Sequence, residues 1–311
     1  MEKIRVALLA GGWSGEREVS LKSGSAVYAA LDKGKYEVAL YDPRDDLGAL
    51  IRAGRNIDIA FCLLHGRFGE DGCIQGFLEM LGVAYVGSGV LASAIALNKH
   101  LAKECYRNQG LKVAEHVLLA RGEPYEVEAI MKVLGPRTVV KPVSEGSSLG
   151  TSLCGNREEL SAGIEKAFEY DDKVMVEEYI DGREITCCIM GTRKLEALPL
   201  VEIVPGQEHR FFDYEAKYTP GATKEICPAP INNKLAEKVI ACAQAAHKAL
   251  WCRVWSRTDM IIREDEIFLL ETNTIPGMTE NSLFPLAART AGLSLTELVD
   301  RLITLSLEER S

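Results

Sequence analysis

Apolar residues recur along the first third of the chain in two different periods. "KIRVALLA" (3–10) is apolar almost without a break and stops at two glycines, which predicts a buried strand. "EREVSLKSGSAVYAALDKG" returns its apolar positions at helical spacing and predicts a helix. "YEVALYD", "DIAFCLLHG" and "VAYVGS" read as further strands, and "GCIQGFLEMLG" as a second helix. Strands alternating with helices imply a parallel sheet covered by helices.

The pattern changes near Asn98. A helix, "NKHLAKECYRNQG", precedes "RTVVKPVSEGSSLGTSLCG", which predicts two strands around a Gly/Ser loop. A helix "NREELSAGIEKAFEY" and a strand "KVMVEEYI" follow. Beyond Asp181 come strands "REITCCIMG" and "KLEALPLVEIV", and a long polar segment, "PGQEHRFFDYEAKYTPGATKEICPAP". Helix "NNKLAEKVIACAQAAHKAL", hairpin "RTDMIIREDEIFLLETN" and a C-terminal helix, "SLTELVDRLITLSLEER", complete the chain. The expectation is an α/β protein (α+β overall) in three units: a Rossmann-like parallel unit at 1–97 and two α+β units at 98–180 and 181–311.

Composition narrows the function classes. The chain has 311 residues, a formal net charge of −9 and no dense Lys/Arg cluster, so no nucleic-acid partner is expected. No apolar run approaches ~18 residues, so no membrane span is expected. "MEKIRVALLAGG" has too short an apolar core for a signal peptide and reads as the first strand. The nine cysteines contain no CxxC pair and sit mostly in apolar contexts, which suits buried thiols in a reducing cytoplasm better than a metal role.

Candidate chemistry concentrates at the hairpin. A turn centred near Asp265 places Asp259 opposite Glu271, with Asn273 on the same face as Glu271. Two facing carboxylates repel unless a cation offsets them. That cation is either Mg2+, which favours hard oxygen ligands, or Arg257; exposure to solvent is the remaining alternative. "VVKPVSEGSSLG" offers Lys141 and a small-residue loop that could cradle phosphate, or a plain surface loop. It is not GxxxxGK[ST], and "AGGWSGERE" is not GxGxxG. In the latter stretch Glu16 could hold a ligand's ammonium or serve as a first-turn helix acid. "LHGRFGEDG" places His65 at the end of a strand, where ligands bind in parallel sheets, although a lone histidine can be structural. "FFDYEAKYTPG" reads as a lid or as an ordinary loop.

In order along nearly the whole chain, "GGWSGEREVSLKSG", "LHGRFGEDG", "NKH", "KPVSEGSSLG", "VEEYIDGREIT", "FFDYEAKY", "SRTDMII", "LLETNTIPGMTENSLFP" and "AARTAGLS" resemble the D-alanine–D-alanine ligases of the ATP-grasp superfamily. The resemblance implies an ATP-grasp fold, ATP and D-alanine as substrates, two Mg2+ ions (or Mn2+), and a cytoplasmic homodimer serving peptidoglycan synthesis. Carried over by motif, Glu16 would bind the first D-alanine's ammonium, with His65 nearby and Ser147 and Tyr218 joining Glu16 to close the lid. Lys99 and Lys141 would hold ATP phosphates, and Glu177, Glu178, Ile180 and Glu184 would line the adenosine site. Lys217 would reach the γ-phosphate and the second substrate's carboxylate, which Ser282 and the Leu283 amide would seat. Arg257 and the Gly277 amide would form the oxyanion hole, and Asp259, Glu271 and Asn273 would ligate Mg2+.

Tyr218 stands where the resemblance puts a histidine in D-lactate-specific relatives, and Leu283 where D-serine users carry a bulkier or charged residue. Both favour D-alanine as acceptor over D-serine or D-lactate. One stretch departs from the pattern: "LWCRVWSRTD" has Trp251 and Val254 where the family has glycines. Two added side chains beside Trp255 predict overpacking, with impaired catalysis as the alternative outcome.

Overall fold

The computed structural model describes residues 2–206 and 223–310. The chain opens as β1 (Ile4–Leu9), α1 (Arg17–Ala30), β2 (Tyr36–Tyr41), α2 (Pro43–Ala53), β3 (Ile59–Cys62), α3 (Cys73–Met80), β4 (Ala84–Tyr85) and α4 (Val90–Leu97). The four strands make one parallel sheet in the order β2-β1-β3-β4. Helix α2 was not foreseen, although Asp42 caps it by accepting the Arg44 N–H and Pro43 opens it. The eight residues of α4, "VLASAIAL", have no polar face to reveal a helical period.

Next come α5 (Lys99–Asn108), β5 (His116–Ala120), α6 (Val127–Leu134), β6 (Thr138–Pro142), β7 (Ser152–Cys154), α7 (Arg157–Phe168) and β8 (Lys173–Glu178). These strands form an antiparallel sheet in the order β5-β8-β6-β7, with α6 and α7 on its apolar face. The third sheet, β12-β11-β9-β13-β14, is also antiparallel and is built from β9 (Arg183–Gly191), β11 (Val201–Pro205), β12 (Thr223–Ile226), β13 (Val254–Arg263) and β14 (Glu266–Asn273); the short β10 (Glu196–Ala197) also pairs with β9. Helix α8 (Asn233–Ala249) packs on this sheet, and α9 (Leu283–Thr290) and α10 (Leu295–Arg310) end the chain.

Two packing choices hold the sheets together. Helix α5 packs on the third sheet, where Ala102 and Tyr106 are buried and the Tyr106 hydroxyl bonds Thr272 Oγ1 at 2.7 Å. The last helices return to the first sheet: Leu298, Leu302 and Ile303 share a core with Leu8 and Phe61, and Tyr36 donates to Asp300 at 2.6 Å. Past the carboxyl end of β3, His65 bonds the Ile275 backbone, and a cleft opens between the second and third sheets.

Candidate active site

In the hairpin, Asp259 lies directly opposite Glu271, as expected, and Arg257 opposite Asn273, although the turn is centred half a residue earlier than expected, with Arg263 paired to Glu266. The register then slips between Asp259 and Met260, leaving Leu270 as an extra residue on β14. Arg257 offsets the Asp259 charge within the chain, with Nε and Nη2 at 2.9 and 2.8 Å from its two oxygens. Thr186 donates to Asp259 at 2.5 Å and Asn273 Nδ2 at 3.2 Å. Burial works against the Arg257 charge, but Asp259 overcomes it and keeps the guanidinium firmly protonated. Glu271 lies 3.6 Å from Lys99 Nζ. The hairpin thus presents two carboxylates and one amide oxygen from neighbouring register positions, a hard-oxygen donor set that fits Mg2+ and would suit a soft thiophilic metal poorly.

A cleft between the second and third sheets is lined by Lys99, Lys141, Glu177, Glu178, Ile180 and Glu184, with Asp259 and Glu271 at its end. It gathers every described residue that the resemblance assigned to ATP. Glu177 is almost fully buried between two lysines, with Lys103 Nζ at 2.7 Å and Lys141 Nζ at 2.6 Å. Burial alone would raise its pKa, but the two ammonium groups hold it at about 2. Burial pulls the Lys103 pKa down, whereas Glu177 keeps that of Lys141 raised. Lys103 was missed in the sequence because it reads there as part of a solvated helix face; in the fold it has no exposure. Its partner is 74 residues away, so only the tertiary structure reveals the triad that fixes Lys141.

At the carboxyl ends of β1 and β3 lies a second hollow. Glu16 precedes α1 but its carboxylate does not cap the helix; it accepts from the Ser147 hydroxyl across the cleft. A Cβ on Gly146 would meet Glu16 Oε2, so a side chain there would push the carboxylate aside. Ser147 and Ser148 are themselves in the left-handed region, at φ 49° and 58°. His65 is buried, bonds the Ile275 backbone and has a pKa lowered by burial, while its Nε2 has no hydrogen-bond partner among the described residues. A buried orphan of this kind calls for a ligand atom or water.

Glu70 completes this group and was not singled out from the sequence. Its carboxylate accepts the Gly66 N–H at 2.8 Å. Burial first, then the nearby Glu16 charge, push its pKa up to about 8. The only sequence signal was its place in the "GEDG" loop after His65. Glu70, Lys99, Glu145, Gly146, Glu271 and Asn273 line a hollow beside the cleft between the second and third sheets.

Ser282 immediately precedes α9 and Leu283 is its first residue. Ser282 Oγ lies 2.7 Å from Thr279 Oγ1, and a Cβ on Gly277 would come within 2.9 Å of it, so Gly277 and Ser282 are neighbours. The segment read as a lid, with Lys217 and Tyr218, lies outside the described residues.

The overpacking expected at Trp251 and Val254 is not found. Trp251 is 59% exposed and crowds nothing, while Val254 is buried in the first core. What both positions share is a left-handed backbone, at φ 53° and 65°. Trp251 sits just past the C-cap of α8: its N–H bonds the Lys248 carbonyl at 3.0 Å and the Cys252 N–H bonds that of His247 at 2.9 Å, a Schellman motif. Trp255 has its own buried space, edge-on to Phe61 and Phe284 with ring centroids 6.2 and 5.2 Å away. Arg257 and Asp259 keep their places in the strand.

Family models described as the D-ala D-ala ligase C-terminus and N-terminus match residues 105–304 and 45–88. A D-alanine–D-alanine ligase from Syntrophobacter fumaroxidans is 53% identical over 308 residues, covering 99% of each chain. The ATP complex of the D-alanine–D-alanine ligase from Bacillus anthracis superimposes with a TM-score of 0.87 at 35% identity, covering 99% of this chain and 98% of that one. The VanG D-Ala:D-Ser ligase from Enterococcus faecalis gives 0.83 at 31% identity, covering 98% and 100%.

Proposed function

The chain belongs to the D-alanine–D-alanine ligase family, with its ATP-grasp fold, and from that premise we propose that it joins two D-alanines to D-alanyl-D-alanine with ATP as the energy source. The observation that carries the reading is the convergence of two adjoining hollows. One is lined by Lys141 and Glu184, the other by Glu70 and Gly146, and Lys99 and Glu271 are common to both.

The chemistry follows from the substrates. A carboxylate is a poor electrophile. Attack of the first D-alanine's carboxylate oxygen on the γ-phosphorus releases ADP and leaves an acyl phosphate. The second D-alanine's amine then adds to the carbonyl carbon, loses a proton, and expels phosphate. Lys99 and Lys141 bind phosphate oxygens, and Glu177 with Lys103 keeps Lys141 charged and in place. Glu184 holds the ribose, with Glu178 and Ile180 against the adenosine. Glu16, supported by Ser147, binds the first ammonium, and His65 stands beside that amino acid. Arg257 and the Gly277 amide stabilise the oxyanion of the tetrahedral intermediate. Ser282 and the Leu283 amide seat the second carboxylate, and the resemblance assigns Lys217 to that carboxylate and Tyr218 to the hydrogen-bonded set of Glu16.

Asp259, Glu271 and Asn273 are the residues that would hold two Mg2+ ions, which supply charge neutralisation on the transferring phosphoryl group. A metal ion at Asp259 would share the carboxylate that Arg257 now holds, which would leave the guanidinium available for the oxyanion. We further propose three structural units near 1–97, 98–180 and 181–311, a cytoplasmic homodimer, and a role in supplying peptidoglycan precursor.

An acceptor panel tests this reading. With Mg-ATP and D-alanine, ADP release should be D-alanine-dependent and yield the dipeptide, with D-serine or D-lactate as second substrate giving less mixed product. Preferential formation of a mixed product would move the chain to a different acceptor class.

A further inference from the structure

Beside the cleft, α5 and β5 bring together three side chains that none of the proposed steps uses. His100 and Glu104 are four residues apart on α5 and so share one face of that helix. His116 is the first residue of β5, on the neighbouring sheet. One ligand atom from each lies within 4.8 Å of the other two. The two imidazoles meet at 79°, with His100 Nδ1 3.1 Å from His116 Nε2. Bonds of about 2.0–2.1 Å to a tetrahedral Zn2+ would put adjacent nitrogens about 3.3 Å apart, close to the separation already present.

We infer that His100, Glu104 and His116 form a binding site for a divalent cation of the zinc class. The His116 tautomer suits it. Nδ1 faces the Ala114 carbonyl at 3.4 Å, so Nδ1 carries the proton and the Nε2 lone pair points toward His100. Arg107 is the competitor, at 2.9 Å from Glu104, but it also holds Glu115 at 3.3 Å and can keep that contact when Glu104 turns to the metal. Two imidazoles and one carboxylate select Zn2+ or Co2+ over Mg2+. All three side chains are half-buried, which leaves room for water as a fourth ligand. The site would tie α5, which packs on the third sheet, to the edge of the second sheet, one residue from Lys99.

The test is a Co2+ titration of the full-length protein in excess Mg2+, which occupies oxygen-only sites. The expected result is one Co2+ bound with visible d–d absorption, no thiolate charge-transfer band, and displacement by Zn2+. His100→Ala and His116→Gln should each weaken Co2+ binding at least about tenfold. Glu104→Gln, which keeps the side-chain shape, should weaken it less. Metal-free melting temperatures of the variants separate lost ligation from lost folding. No d–d absorption, or unchanged Co2+ affinity in both well-folded histidine variants, would overturn the assignment and leave the pair as a hydrogen bond.

Discussion

Replacing Trp251 by Gly and, separately, by Ala isolates the backbone from the indole. Both variants lose the same half-exposed side chain, so its packing cancels in the comparison. What differs is the cost of φ 53°, which is about 1–2 kcal/mol for a residue with a Cβ and near zero for glycine. Glycine's greater freedom in the unfolded chain returns about 0.5–1 kcal/mol of that advantage. The Gly variant should therefore be the more stable of the two by about 0.5–1 kcal/mol. For a chain of 311 residues this raises Tm by roughly 1 °C, so urea unfolding followed by circular dichroism is the better assay. Ala241→Gly serves as control. That residue is exposed inside the same helix, and there glycine should cost about 1 kcal/mol. The reasoning is refuted if the Ala variant at 251 equals or exceeds the Gly variant, because Trp251 would then bear no left-handed strain.

At Val254 the balance reverses: Val254→Gly should lower stability by about 1 kcal/mol in the same assay, since the lost buried side chain outweighs the relief of φ 65°. Lys103→Met leaves Glu177 buried with one cation and should cost about 3–5 kcal/mol in urea unfolding; a change below about 1 kcal/mol would show that the triad is not needed. For Glu70 the folded pKa, about 8, lies above the ordinary 4.5, so the folded state retains a proton the unfolded chain has released. Its contribution is fully present below about pH 4.5 and disappears as pH rises through about 8. Glu70→Gln should flatten the fall in stability across that window, and an unchanged slope would place Glu70 in a less buried setting. Glu271→Gln should reduce turnover at least about a hundredfold with an unchanged circular dichroism spectrum, and retained turnover would remove Glu271 from the metal set.

The features legible in the sequence are those set by local period. The charged turn in "REDE" and the alternation beside it bring Asp259 near Glu271, although their direct opposition depends on the slip at Leu270, and largely apolar runs mark β1 and β3. The slip at Leu270 was not legible, because a bulge adds a residue without changing which residues are apolar. Nor was Lys103, whose partner Glu177 is reached only through the packing of α5 near β8. Glu70 looked like an ordinary loop acid until the fold buried it near Glu16. At Trp251 the departure was legible but its physics was not: the missing glycine matters for backbone sign, not for space.

The most direct test is oxygen transfer. D-Alanine labelled with 18O in its carboxylate should give dipeptide and inorganic phosphate in equal amounts, each phosphate carrying one labelled oxygen from the expelled acyl phosphate. Label appearing in AMP, or dipeptide formed with unlabelled phosphate, would contradict phosphoryl activation at the cleft between Lys99, Lys141 and Glu271.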